Sequence, residues 1–346
     1  MKKIIVGDII IGADDKPFVI PEIGINHNGK LKVAFEMVDA AARAGARAVK
    51  HQTHIPGDEM SKLAKSVIPG NSDKSIYDIM EECALSEYEE SELKKYVEDK
   101  GMLFFSTPFS RAAAERLEKM DVKLYKVGSG EMNNYPLLDH IASFGKPMIV
   151  STGMNSMEQV KKAVGVLEKR NVPYALLHTT NLYPTSPRLV RLGAMQELQK
   201  EFPGVPVGLS DHTLNNNACV AAMALGAKIV ERHFTDRKDR TGPDVVCSMD
   251  EKELKELLLA AEQVPLMLTG TKGPAEEEMV TINFAFSTVV AIQNIKKGET
   301  FTEKNIWVKR PGIGEILAEE YFNVIGKKTA CDIPEDEHIK YNMIES

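Results

Sequence analysis

The sequence predicts a (β/α)8 barrel, or TIM barrel, followed by a small β-rich module. Three observations carry this. Between residues 18 and about 262, eight short apolar, β-branched runs recur, each followed by a polar cluster. Stretches of helical periodicity separate the runs. Beyond about residue 268 the helical pattern gives way to short strand-like runs and turns. Eight βα units in about 250 residues match the usual size of a closed barrel, and an open doubly wound sheet usually has fewer strands.

The runs, in order, are FVIPEIGIN (18–26), RAVKHQT (47–53), MLFFST (102–107), KLYKVGS (123–129), PMIVST (147–152), YALLHTT (174–180), PVGLSDH (206–212) and KIVERHF (228–234). The first intervening helix reads LKVAFEMVDAAARAGA; Leu31, Ala34, Met37, Val38 and Ala41 share a face, and Gly45 supplies the stop. Leu225-Gly226-Ala227 repeats that boundary before the eighth run. The segment TGTKGPAEEEMV concentrates Gly, Pro, Thr and Glu and reads as a linker. The expected division is therefore a barrel domain over 1–268, a linker over 269–282 and a β-rich domain over 283–346. A domain of that last size is marginal alone and should dock onto another surface.

Composition narrows the partners. The 346 residues hold 43 Lys and Arg against 50 Asp and Glu, a net charge of −7 with the signs interspersed, so no basic nucleic-acid footprint exists. No apolar run reaches the roughly 18 residues of a membrane span, and the start MKKIIVGDIIIGADDKPF is broken by Asp8 too early for a signal peptide, so a cytoplasmic location is expected. Cys83, Cys219, Cys247 and Cys331 lie far apart without a CxxC pair, which suggests neither disulfides nor a cysteine zinc site.

Barrels of this kind place chemistry at the C-terminal strand ends. Here every run ends in polar residues: Glu22 and Asn26, Lys50 and Gln52, Thr107, Lys126 with Ser129, Ser151, His178, Ser210 with His212, and Glu231 with His233. His212 and His233 end neighbouring strands and can converge on one divalent metal, with Glu22 the nearest candidate acid. Glu231, two residues before His233, points the same way as a supporting group or part of an ion pair. Lys50 and Lys126, ringed by Thr107, Ser129, Ser151 and Ser210, suit a phosphate or phosphate-carboxylate anion. The rival role for either lysine is a Schiff-base nucleophile. Asn133-Asn134-Tyr135, Thr180-Asn181-Leu182-Tyr183-Pro184 and Pro69-Gly70-Asn71 fall in βα loops at the same face and suit sugar hydroxyls as well as turns.

The segments PEIGINHNG (21–29), AVKHQTHI (48–55), VIPGN (67–71), STPFSRAAA (106–114), YKVGSGEMNNYPL (125–137), STGMNS (151–156), TTNLYPT (179–185), GLSDHT (208–213), ERHFTDR (231–237) and GPDVVCSM (242–249) closely resemble the bacterial N-acetylneuraminate (sialic acid) synthase family. KKGE…NIWVKRPG (296–312) resembles that family's antifreeze-like, or SAF, β-clip domain. The likeness runs through essentially the whole chain in order. It implies a carbon-carbon bond forming transferase that condenses phosphoenolpyruvate with N-acetylmannosamine, using a divalent metal: Mn2+, with Mg2+ or Co2+ as alternatives. It implies that His212 and His233 hold the metal and that Lys50, Thr107, Lys126, Ser129, Ser151 and Ser210 seat phosphoenolpyruvate. Gln52, Asn71, Glu131, Asn181, Tyr183 and Asp244 would meet the sugar, and Glu22 would serve the acid-base step. The resemblance further implies a domain-swapped homodimer in which Arg310, from VKRPG, reaches the partner's site. Met132 and Thr179 stand where the family often carries cysteine, at positions the mechanism does not require. Legionaminate and pseudaminate synthases, which take diacetamido-dideoxy sugars, share the fold and anion seat; the KHQTH run matches the neuraminate branch.

Overall fold

The computed structural model describes residues 3–12, 14–69 and 73–345. The chain divides into two compact units, one up to Thr269 and one from Gly270 onward. The first opens with a hairpin, β1 (Ile4–Val6) and β2 (Ile9–Ile11), joined by the two-residue turn Gly7-Asp8 with Gly7 at φ 59°. Eight parallel strands follow: β3 (Phe18–Gly24), β4 (Ala48–Thr53), β5 (Leu103–Pro108), β6 (Tyr125–Val127), β7 (Met148–Ser151), β8 (Tyr174–Thr179), β9 (Val207–Asp211) and β10 (Ile229–His233). They close in sequence order, with β10 pairing β3, as the eight runs predict.

Alternation along each strand sorts the residues. Phe18, Ile20, Ala48, Phe105, Leu124, Ile149, Ala175, Leu177 and Ile229 fill the barrel interior, while Val49, Phe104, Tyr125, Val150, Leu176 and Val230 point outward into the helix layer. Where β9 passes β10, only Gly208 fits, because a Cβ there would lie 2.0 Å from the Ile229 carbonyl oxygen. The floor of the barrel is closed by Ile4, Val6, Ile9 and Ile11 of the hairpin. Ile11→Ala should therefore cost about 3 kcal/mol in denaturant unfolding, the usual toll of a buried Ile truncation. An effect under about 0.5 kcal/mol, the scale of a surface change, would remove the hairpin from the core. The first helix, Leu31–Ala44, ends at Gly45 in the left-handed region, the stop read from sequence.

Behind the second half of β4, past Val49, the outward layer turns polar at His51 and Thr53. The Gly29 N–H donates to His27 Nδ1, so His27 Nε2 carries its hydrogen toward His51 Nε2 at 3.2 Å. That leaves the His51 hydrogen on Nδ1, which lies 3.4 Å from Ser106 Oγ and 3.3 Å from Glu90 Oε1, and Arg116 pairs with the other Glu90 oxygen at 2.8 Å. Burial holds His27 neutral, its pKa lowered to about 3.

The second unit is built on its own core of Val289, Ala291, Ile295, Phe301, Ile306, Ile316, Tyr321, Val324, Ile333 and Ile339. Its β11 (Thr288–Ala291) and β12 (Ile306–Lys309) pair antiparallel, and a short helical stretch spans residues 318–324. A helix, Met279–Ala285, begins inside the segment read as a linker.

Candidate active site

The inward alternation that is apolar at the barrel floor turns polar at the mouth. Glu22 follows Ile20, Lys50 and Gln52 follow Ala48, and Glu231 and His233 follow Ile229 on the same strand faces. These residues line a cavity of about 210 Å3 together with Thr107, Lys126, Ser129, Glu131, Ser151, Asn181, Tyr183, Ser210 and His212. Sequence reasoning thus placed most of the wall. Asp244 stands just behind it, 3.8 Å from His233 Nδ1. Asn71 lies outside the described residues, and Arg310 belongs to the second unit. His178 points outward, donating to the Val190 carbonyl at 2.7 Å, and Asn26 ties the first loop to Phe234 and Ser248.

At the centre stand two lysines and two glutamates. Lys50 Nζ pairs with Glu22 Oε2 and lies 3.3 Å from Thr107 Oγ1. Lys126 Nζ donates to Ser151 Oγ at 2.7 Å. Glu231, which the sequence left between a supporting role and an ion pair, sits between both, 3.6 Å from Lys126 and 3.9 Å from Lys50, and accepts from Ser210 Oγ at 3.2 Å. Burial raises the Glu22 pKa to about 7 against the pull of Lys50, with Glu231 adding to the rise. Burial also works against ionised Glu231, but Lys126 and Lys50 outweigh it and hold that carboxyl below the ordinary range. Lys126 is lowered by the same burial. Glu131, buried at the rim, is pushed up to about 7.

The two histidines meet as expected, ring centroids 5.4 Å apart. His212 Nδ1 donates to the Thr180 carbonyl at 2.8 Å, which leaves Nε2 with a free lone pair. Burial and His233 lower the His212 pKa to about 4; burial and Lys50 lower His233 to about 3, so both rings are neutral, the ligand form. His233 Nδ1 is buried without a hydrogen-bond partner. This donor set fits a divalent metal through two imidazoles. Among the described residues no group of three or more His, Cys, Asp and Glu is arranged to hold one. Glu22 is engaged by Lys50 and Gln52 and is not poised as a third protein ligand.

Other polar atoms at the mouth also lack partners: Glu231 Oε2, Asn181 Oδ1 and Thr179 Oγ1 are buried and unsatisfied among the described residues. Unsatisfied buried polar atoms converging on one cavity are what a polar ligand would complete. Gly153 makes room there, since a Cβ would fall 1.9 Å from Asn181 Oδ1. Phe109, Gly128, Gly130 and Thr179 complete the lining and carried no role in the sequence reading. Thr179 alone had a signal, the inward parity it shares with Ala175 and Leu177.

Fold and mouth together define a barrel enzyme with a small appended β domain. The NeuB family model matches residues 37–272 and the SAF domain model residues 287–345. The chain belongs to the NeuB family of sugar-acid synthases. It is similar to uncharacterized protein MJ1065 of Methanocaldococcus jannaschii, 39% identical over 99% of this chain and 98% of that one. It is also similar to N,N'-diacetyllegionaminic acid synthase of Campylobacter jejuni, 36% identical over 94% of this chain and 99% of that one. A solved structure of N-acetylneuraminic acid synthetase from Leptospira borgpetersenii, in complex with citrate, superposes with a TM-score of 0.74 at 30% identity, covering 81% of this chain and 95% of that one. No helix among the described residues is long and apolar enough to cross a membrane.

Proposed function

We propose that this protein is a cytoplasmic N-acetylneuraminate synthase, joining phosphoenolpyruvate, N-acetylmannosamine and water into N-acetylneuraminate and phosphate. The observation that carries this reading is the mouth itself, where two buried lysines and a ring of hydroxyls face two neutral histidines across one cavity. Lys50 and Lys126 supply counter-charge to the carboxylate and phosphate of the enol, and Thr107, Ser129, Ser151 and Ser210 donate to the remaining oxygens. A divalent metal, Mn2+ or else Mg2+ or Co2+, held by His212 and His233, would polarise the sugar aldehyde as a Lewis acid. C3 of the enol bonds to the aldehyde carbon, and the C2 cation that results adds water. With a pKa near 7, Glu22 can take the proton that water gives up and pass it to the oxygen of the former aldehyde, while the proton left on the C2 hydroxyl departs with phosphate. Cleavage of the C2–O bond releases phosphate. No Schiff base is needed, so both lysines act as charges. Gln52, Asn71, Glu131, Asn181, Tyr183 and Asp244 would face the sugar.

The second reading, a diacetamido-dideoxy sugar as acceptor, is favoured by the similarity to the legionaminic acid synthase. Phosphate release from phosphoenolpyruvate, measured with each sugar in turn, separates the two. Dependence on N-acetylmannosamine supports the first; release only with the diacetamido sugar establishes the second.

Chelation should abolish this release and Mn2+ should restore it. His212→Ala and His233→Ala should each weaken Mn2+ binding at least about tenfold in calorimetry while leaving the unfolding transition in place, because strand-end residues add little to the core. Full turnover in excess chelator would remove the metal from the mechanism.

A further inference from the structure

We propose that His54 is a positioning residue that locks the Gln52 amide in one orientation and so fixes which group of the acceptor the site can read. The proposal rests on the reading that Gln52 faces the acceptor sugar. His54 follows β4 in the KHQTH run, its side chain only 2% exposed, and no step above uses it. Its ring is held on three sides: stacked on Phe109 at 4.2 Å and 16°, 2.9 Å from Glu59 Oε2 through Nδ1, and 3.0 Å from Gln52 Oε1 through Nε2.

Hydrogen placement follows from the partners. Gln52 faces Glu22 Oε1 at 2.8 Å, and the other Glu22 oxygen is committed to Lys50. In the ionised form that pairs with Lys50, Glu22 Oε1 accepts, so the Gln52 atom against it is the NH2 group and the amide oxygen faces His54. His54 Nε2 therefore carries a hydrogen and donates it. On the opposite side of the ring Nδ1 donates to Glu59 Oε2 at 2.9 Å, so this orientation has both ring nitrogens as donors, the ring paired as an imidazolium with the Glu59 carboxylate. A chain thus runs from Glu59 through His54 and Gln52 to Glu22.

The consequence is directional. Gln52 spends one N–H on Glu22 and has a second N–H with no protein partner among the described residues, in a side chain that lines the cavity. That N–H is a donor, matched to a carbonyl oxygen such as that of an acetamido group. The flipped amide would set oxygen against the Glu22 carboxylate and offer an acceptor in error. Phe109, which also lines the cavity, keeps the His54 ring from turning.

The test is steady-state kinetics on the full-length enzyme with both substrates varied. His54→Phe keeps the ring and its stacking but removes the donor. It should raise the sugar KM about tenfold, the loss of one oriented hydrogen bond, with the phosphoenolpyruvate KM within about twofold of wild type. His54→Gln reaches the Nε2 position and should restore the sugar KM, whereas His54→Asn reaches only the Nδ1 position and should not. In a double variant with Gln52→Leu, His54→Phe should add nothing further. Equal rises in both KM values, additivity with Gln52→Leu, or failure of His54→Gln to rescue while its melting temperature is native would overturn the proposal. Imidazole 15N spectroscopy judges His54 apart from the acceptor reading. A protonated Nε2 in the resting enzyme supports the orientation even if N-acetylmannosamine proves not to be the acceptor, and an unprotonated Nε2 overturns it.

Discussion

Lys126→Met is expected to lower kcat/KM for phosphoenolpyruvate by about 10²- to 10³-fold, the scale of losing one preorganised charge in a water-poor site. The side chain is buried, donates to Ser151 Oγ at 2.7 Å and lies 3.6 Å from Glu231. Its removal also leaves Glu231 buried with Lys50 alone, 3.9 Å away, which should cost about 3 kcal/mol of stability. These two losses are separable. In Lys126→Met with Glu231→Gln the orphaned charge is gone, so the denaturant midpoint should recover most of its value while activity stays low. Near-native kcat/KM in the single variant would show that Lys126 is a structural ion-pair partner and not part of the anion seat. Recovery of activity along with stability in the double variant would mean the same.

The strand-end chemistry was legible because barrel strands obey a two-residue period. Once Ala48 is read as interior, Lys50 and Gln52 must be interior too, and the same parity delivers Lys126 after Leu124 and Ser151 after Ile149. Partnerships across the barrel were not legible. Glu231 could be seen to face inward with His233, but its place between lysines of β4 and β6 depends on closure, which joins residues far apart in sequence. Glu90 sits in the charge run EYEESELKK, which reads as a solvated face, yet it is 1% exposed. A signal was present: Glu90 shares its helical face with Leu93 and Val97, both fully buried. The N-terminal hairpin was likewise written in the chain, as two apolar triplets around Gly-Asp. The linker segment hid a helix because Met279, Val280 and Phe284 face outward, exposed instead of packed on a core.

Mixing an Arg310→Ala chain with a Lys50→Met chain should restore activity that neither possesses alone. Arg310 stands in a braced loop of the second unit: Thr288 Oγ1 donates to the Pro311 carbonyl at 3.1 Å, His338 Nδ1 lies 2.7 Å from the same hydroxyl, and the Gly312 N–H donates to Asn283 at 2.8 Å. Alongside that loop Val280, Phe284, Phe286 and Ile313 are each more than half exposed. Four large apolar side chains left exposed on a unit this small are the kind that another surface covers. We take the cover to be the barrel mouth of a second copy, with Arg310 reaching that copy's sugar. In such a swapped dimer each site combines the barrel of one chain with the SAF domain of the other. A mixed dimer then collects both lesions in one site and none in the other. With free exchange, half the dimers are mixed and half their sites intact, so about a quarter of wild-type activity should return. If each SAF domain serves its own barrel, every site keeps one lesion and the mixture stays at the level of its parents. If Arg310→Ala is fully active from the start, Arg310 has no place in the site.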